Sequence, residues 1–212
     1  MLCQTFICIN KLYKNYINQY KNIISLYHMV LTPTIQIPLG FQAPDFELLN
    51  PVTGNDQSLQ ELKSDRATLI IFMCNHCPYV VHVLDGLVEL AHDYLSKNIS
   101  IIAINSNDIV NYPDDSPEKM IELVNKYNIP FPYLFDSTQS VAKAYKAACT
   151  PDFSIFNSSM DCVYRGQLDD SRPGNNIPVT GNDIRIVLDS LLSGDDISVL
   201  QKPSMGCNIK WK

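Results

Sequence analysis

The sequence predicts an α/β fold, a central mixed β-sheet flanked by helices, and two observations carry that prediction. Residues 68–73 (Thr-Leu-Ile-Ile-Phe-Met) and 99–104 (Ile-Ser-Ile-Ile-Ala-Ile) are continuous apolar runs of strand length, the mark of strands buried on both faces. Between them Val80, Val81, Leu84, Leu87, Val88, Ala91 and Leu95 recur at helical spacing, which makes the three segments a right-handed βαβ unit. Further on, residues 153–156 and 162–167 flank the turn sequence Asn157-Ser158-Ser159-Met160, a β-hairpin. The 212 residues suffice for one domain with extensions.

The remaining elements follow in order. Residues 43–49 alternate apolar and polar side chains and stop at Asn50-Pro51 and Gly54, a short strand closed by turn chemistry. Residues 58–62 read as a single helical turn. The long helix runs from Pro78 to Ser96, with Pro78 in the first turn, where a missing N–H costs nothing. Ser116-Pro117 opens a helix that reaches Tyr127. Residues 131–135 form a strand, and Ser137 or Thr138 caps a helix ending near Lys146. A polar loop fills residues 168–181, and Ile184, Val187, Leu188 and Leu191 place a last helix before Gly194.

Composition narrows the function. At 46% hydrophobic and 18% charged residues the chain builds a core rather than a disordered or fibrous assembly. A net charge of -6 argues against nucleic acid and anionic membrane as partners, and no apolar run has the length of a membrane span. The first 44 residues stand apart: they carry Lys11, Lys14 and Lys21 and no acid, in a Lys/Asn/Tyr/Ile-rich mixture. That segment has neither the charge order of a signal peptide nor the arginines of a transit peptide, so Met29 is the expected start and the cytoplasm the expected compartment, the periplasm being the alternative. The expected organisation is an extension over residues 1–37, a domain over 38–193, and a tail over 194–212 that carries Cys207. Seven cysteines are an odd count, so at least one thiol stays free or pairs outside the chain.

The chemistry concentrates at Cys74-Asn75-His76-Cys77-Pro78. A Cys-x-x-Cys pair serves zinc or redox exchange. Zinc wants four ligands, and no second Cys-x-x-Cys or Cys-x-x-His completes a set; Cys149, Cys207 and His76 are the candidates to do so, none at motif spacing. Redox exchange needs a strand, then the dithiol, then a helix whose free N–H groups favour thiolate, and that is the order found. On this reading Cys74 is the exposed, activated nucleophile and Cys77 the resolving thiol one turn in. His76 either favours the thiolate as a cation or faces solvent.

With that dithiol, Thr150-Pro151 just before a strand, and a terminal hairpin plus helix, the chain resembles the thioredoxin superfamily. The resemblance implies a thioredoxin-like fold with a cis bond before Pro151, lying against the dithiol and forming a groove for an extended polypeptide with Thr150 and His76. The additional helix and strand between Asn105 and Phe135, with residues 43–48, narrow the likeness to the peroxiredoxin-like branch, the alkyl hydroperoxide reductase/thiol-specific antioxidant and redoxin group, over residues 38–192. Within it, Asn105-Ser106-Asn107-Asp108, Tyr112-Pro113-Asp114-Asp115-Ser116, Ala148-Cys149-Thr150-Pro151-Asp152-Phe153, Asp169-Asp170-Ser171-Arg172-Pro173 and the Cys207 tail resemble a bacterial thioredoxin-like subfamily.

The implied activity is thiol-disulfide exchange with a protein partner and a thiol reductant, without metal or organic cofactor. Peroxide reduction is the alternative. Aligned with true peroxiredoxins, Cys77 takes the peroxidatic place, but Cys74 stands where their threonine belongs, Ile70 where their proline belongs and Thr150 near their arginine, so the developing oxyanion loses its donors unless Arg165 or Arg172 replaces them in space. A metal-binding module with Cys74, Cys77 and Cys149 or Cys207 as ligands is the third reading. Cys149 and Cys207 are the candidate accessory redox thiols, and Cys162 is expected in the core.

Overall fold

The computed structural model describes residues 31–212, so the expectations for residues 1–28 lie outside it. Ten strands and five helices follow one another in the described residues. They are β1 (Leu31–Pro33), β2 (Glu47–Asn50), β3 (Asn55–Ser58), α1 (Leu59–Leu62), β4 (Ala67–Phe72), α2 (Pro78–Leu95), β5 (Ile99–Asn105), α3 (Pro117–Tyr127), β6 (Tyr133–Phe135), α4 (Ser140–Ala144), β7 (Cys149–Thr150), β8 (Asp152–Asn157), β9 (Cys162–Gly166), α5 (Asn182–Ser193) and β10 (Met205–Asn208). A 3-10 turn over Pro113–Asp115 precedes α3.

Seven strands form a mixed sheet in the order β3-β2-β6-β5-β4-β8-β9. β4 is buried at every residue and sits between β5, its parallel partner through Ile70↔Ile102, and β8, its antiparallel partner through Ile70↔Ser154. Its uninterrupted apolar run is what a strand flanked and covered on all sides requires. The βαβ unit and the 152–166 hairpin are present, the latter with a bulge between Ile155 and Phe156. α2 buries Val80, Val83, Leu84, Leu87, Leu90, Ala91 and Tyr94 and packs on β5. Beneath α1 and α4, Tyr145 packs against Phe46, Phe72 and Phe156, and its hydroxyl donates to Pro44 O at 2.7 Å.

Local chemistry sets the boundaries. Ser58 and Glu61 form a reciprocal capping box at α1, and Ser116 caps α3 with Pro117 at the first helical position. Two expectations shift. β2 starts at Glu47 because Pro44 lacks an N–H and the backbone before it bonds elsewhere, with Ala43 N donating to Met160 O. α4 is shorter than expected, since Gln139 takes a left-handed φ of 64° and neither Ser137 nor Thr138 is its N-cap.

A second, three-stranded sheet has the order β1-β10-β7. It joins a strand before residue 38 and a strand after residue 193 to the middle of the chain, so the C-terminal segment is built into the fold beside the Thr150-Pro151 peptide, which is cis. Among the described residues no helix is long and apolar enough to cross a membrane.

Candidate active site

β4 delivers the chain into Cys74, and Pro78 fixes where the next helix begins. With proline as its first residue, the N-cap of α2 is Cys77, whose carbonyl accepts the amides of Val80 and Val81 at 3.0 Å each. Cys74 therefore lies in the loop ahead of the helix.

That loop is held by a buried carboxylate. Asp115, fully buried, accepts the Asn75 amide at 2.8 Å and the Asn107 side-chain amide at 2.7 Å, and its other contact is His76 Nδ1 at 2.8 Å. Asn105 donates to the Asp115 carbonyl at 2.8 Å, and Tyr133 donates its hydroxyl to Asn75 Oδ1 at 3.0 Å. From the Asn105–Asp108 and Tyr112–Ser116 motifs, Asn105, Asn107 and Asp115 thus converge to clamp the residues between the two cysteines. His76 is half-buried, parallel to the Tyr112 ring, and its pKa is raised chiefly by the hydrogen bond to Asp115, against the opposing effect of burial. It faces the carboxylate rather than open solvent.

Three sulfurs meet here. Cys77 Sγ lies 2.8 Å from Cys207 Sγ and 3.2 Å from the Thr150 carbonyl oxygen, while Cys74 Sγ lies 3.4 Å from Thr150 Oγ1. Within this cluster the pKa of Cys77 is lowered. The Cys207 thiol beside it is the main cause and the Cys74 thiol the next, while burial opposes both. The Thr150 carbonyl holds the proton when Cys77 is protonated. Cys74 moves the other way, pushed well up by its hydrogen bond to Cys77, then by burial and the Asp115 charge. Cys207 is also pushed up, first by its bond to Cys77 and then by burial.

This corrects the sequence reading of Cys74 as an exposed, activated thiol. Cys74 is only 1% exposed, and the residue at the N-cap of α2 is Cys77, because Pro78 as the first helical residue sets where the helix begins. Neither sulfur is open to a large partner, since Cys77 is 0% exposed.

Thr150 and Pro151 do stand against the dithiol, as the resemblance implied. Their edge is occupied: β10 pairs antiparallel with β7, with Cys207 opposite Thr150 and Asn208 opposite Cys149. Cys149 lies next to Thr150 on a strand and so points to the other face. It is buried against Thr34 Oγ1 (3.8 Å) and the Pro151 carbonyl (3.7 Å), and burial pushes its pKa up. Cys162 is a core thiol, with burial raising its pKa to about 11.

The two arginines do not replace the missing peroxide-binding residue. Arg165 spends all five N–H donors on Ile35 O, Tyr145 O, Ser154 Oγ, Lys146 O and the Asp152 carboxylate, to which it is paired at 3.2 Å with both side chains 1% exposed. Arg172 donates to the carbonyls of Asp169 and Ser171 and to Gln167. Among the described residues one set of three metal-capable donors lies together, Cys74, His76 and Asp115, within 4.8 Å of one another; Cys77, Cys149 and Cys207 are not part of it.

Sequence reasoning singled out the motif around Asp115 without giving it a role and passed over Tyr133; it placed Gly206 and Lys210 in the Cys207 tail, which could dock over the site with a resolving or regulatory sulfur, and gave neither residue a role of its own. The spacing of Asn105, Asn107 and Asp115 was the available signal for the clamp.

The comparisons agree with this architecture. Residues 39–166 match the model of the AhpC/TSA family. Among solved structures, an uncharacterized conserved protein from Geobacillus kaustophilus shares 58% identity, covering 87% of this chain and 97% of its own at a TM-score of 0.85. A hypothetical protein from Sinorhizobium meliloti shares 45% identity over 85% of this chain and 98% of its own, with a TM-score of 0.83. The thioredoxin domain of a thiol-disulfide oxidoreductase from Bacteroides vulgatus shares the fold at 15% identity, with 72% and 99% of the two chains covered and a TM-score of 0.56. No curated protein matches. Family match, fold and the strand–dithiol–helix order converge, and the chain belongs to the AhpC/TSA family, in the redoxin branch of the thioredoxin superfamily.

Proposed function

We propose that the protein is a thiol-disulfide oxidoreductase that exchanges a disulfide between a protein partner and the Cys74/Cys77 dithiol, with a thiol reductant restoring the dithiol. The observation that carries this is the position of Cys77: it sits at the helix N-cap, its sulfur lies 2.8 Å from Cys207 Sγ and 3.2 Å from the Thr150 carbonyl oxygen, and the neighbouring thiols lower its pKa.

The Cys77 thiolate attacks one sulfur of the partner's disulfide, forming a mixed disulfide and expelling the partner's other sulfur as a thiolate. Cys74 then gives up its proton to that departing thiolate and attacks Cys77 Sγ. The partner's remaining sulfur leaves, so the partner gains two electrons and the Cys74–Cys77 disulfide holds the oxidation. Thr150 Oγ1 beside Cys74 and the Asp115 clamp on Asn75 and His76 keep the two sulfurs in register.

Peroxide reduction has less support in the same site. Cys74 stands in place of the hydroxyl donor, and the guanidinium groups of Arg165 and Arg172 are engaged elsewhere. The test is a paired assay of the reduced protein. Catalytic reduction of insulin disulfides, with hydrogen peroxide consumed no faster than by a free thiol, supports the reading; rapid peroxide turnover without insulin reduction overturns it.

A further inference from the structure

The partner groove is already filled. β10 runs along the Thr150 edge as a client strand would, with a cysteine opposite Thr150 and its sulfur 2.8 Å from Cys77 Sγ. The fit is specific. A Cβ on Gly206 would lie 2.0 Å from Thr150 O, so only glycine lets the strand approach this closely. Ser204 donates its hydroxyl to the Pro151 carbonyl at 2.7 Å. Past Cys207, the Lys210 amide donates to Asn107 Oδ1 at 2.9 Å and the Lys210 carbonyl accepts from Asp108 N and Gln139 Nε2 at 2.8 Å each. The tail is thus tied to the loop that also clamps Asp115. Of the residues leading into β10, 195–200 carry no helix or strand, while Gln201, Lys202 and Ser204 accept the amides of Arg165, Gln167 and Thr34, so opening the groove breaks these bonds as well.

From this juxtaposition we propose that β10 is a resident occupant of the partner groove and that Cys207 is a third exchanging thiol, which closes the site as a Cys77–Cys207 disulfide after each turnover. The proposal rests on the dithiol reading above. Once a client disulfide has been reduced, the chain holds a Cys74–Cys77 bond. The Cys207 thiolate attacks Cys77 Sγ, the Cys77–Cys207 bond forms, and Cys74 leaves as a thiolate that takes up the proton Cys207 released. One disulfide is exchanged for another, with no external oxidant. The reverse attack by Cys74 frees the tail and reopens the groove.

The test uses the full chain, reduced and then exposed to oxidised glutathione as the client disulfide, quenched in acid at intervals and mapped by mass spectrometry. The expected sequence is a Cys74–Cys77 linkage followed by Cys77–Cys207, with a change in the emission of Trp211, the chain's single tryptophan, in step with the second event. Cys74→Ser accumulates Cys77–Cys207 and stays closed. Cys207→Ser stops at Cys74–Cys77 and, with no Cys77–Cys207 bond to reopen between turnovers, reduces insulin faster than the wild-type chain. If the wild-type chain forms Cys74–Cys77 alone while Cys207 stays alkylatable, and Cys207→Ser matches it in rate, the tail proposal is overturned and the dithiol reading stands. If no disulfide forms at Cys77 in either protein, both fall.

Discussion

Replacing Gly206 by alanine tests the tail's seat with a single methyl group. The added Cβ would stand 2.0 Å from Thr150 O, 2.6 Å from Thr150 C and 3.2 Å from Pro151 N, all backbone atoms that cannot rotate away. Relief needs a displacement of about 1 Å, which carries the N–H···O bonds of the β7–β10 pair beyond the roughly 3.2 Å limit of a good hydrogen bond. Overpacking of this kind costs about 1–3 kcal/mol, and charged against the docked tail it raises the open population about 5- to 150-fold. The assay is the rate at which a chromogenic aromatic disulfide reacts with Cys77 in the native reduced protein, measured beside the urea midpoint. Faster reaction is expected in Gly206→Ala, because Cys77 is inaccessible until β10 moves. A variant with wild-type thiol reactivity and an unchanged midpoint would refute the close approach and the shielding argument together.

Other consequences are as direct. Arg165→Met leaves the Asp152 carboxylate buried without its partner and is expected to cost about 3–5 kcal/mol in chemical denaturation, while adding Asp152→Asn recovers part of the loss; equal losses in single and double variants would contradict the pairing. His76 should titrate above about 6.5 by NMR in the reduced protein, and Asp115→Asn should bring its midpoint down. Since the folded pKa is the raised one, the stability from this pair is fully present below the unfolded value and is lost as pH rises through the folded one; an unshifted midpoint in the wild type contradicts the contact. Cys162, with its pKa near 11, should resist alkylation at pH 8 until the protein unfolds, and prompt labelling in the native state would mean that its strand is open.

The elements legible in the sequence are those whose signal is local. β4 and β5 announce themselves as apolar runs, α2 by its buried stripe and α3 by Ser116-Pro117, and all four stand within a residue or two of expectation. β1, β7 and β10 are short and have no alternating pattern; Met-Gly-Cys-Asn becomes a strand only because Thr150 offers it an edge. β3 is wholly polar and exists as the hairpin partner of β2. The same division holds in the site. Cys74, Cys77 and Thr150-Pro151 were readable from spacing and order. Asp115 needed knowledge of which distant amides converge on it, and the choice between Cys74 and Cys77 turned on the helix start and on a third sulfur 130 residues away in sequence.

The central claim, that Cys77 is the attacking thiolate, is tested most directly by trapping. A Cys74→Ser/Cys207→Ser variant retains Cys77 and removes both sulfurs that resolve its mixed disulfide. Mixed with a protein disulfide and separated without reductant, it should hold the partner in a stable covalent complex whose tryptic map shows the bond at Cys77. Failure to capture any partner with this variant, or capture through Cys74 at an undiminished rate by a Cys77→Ser variant, would contradict the account.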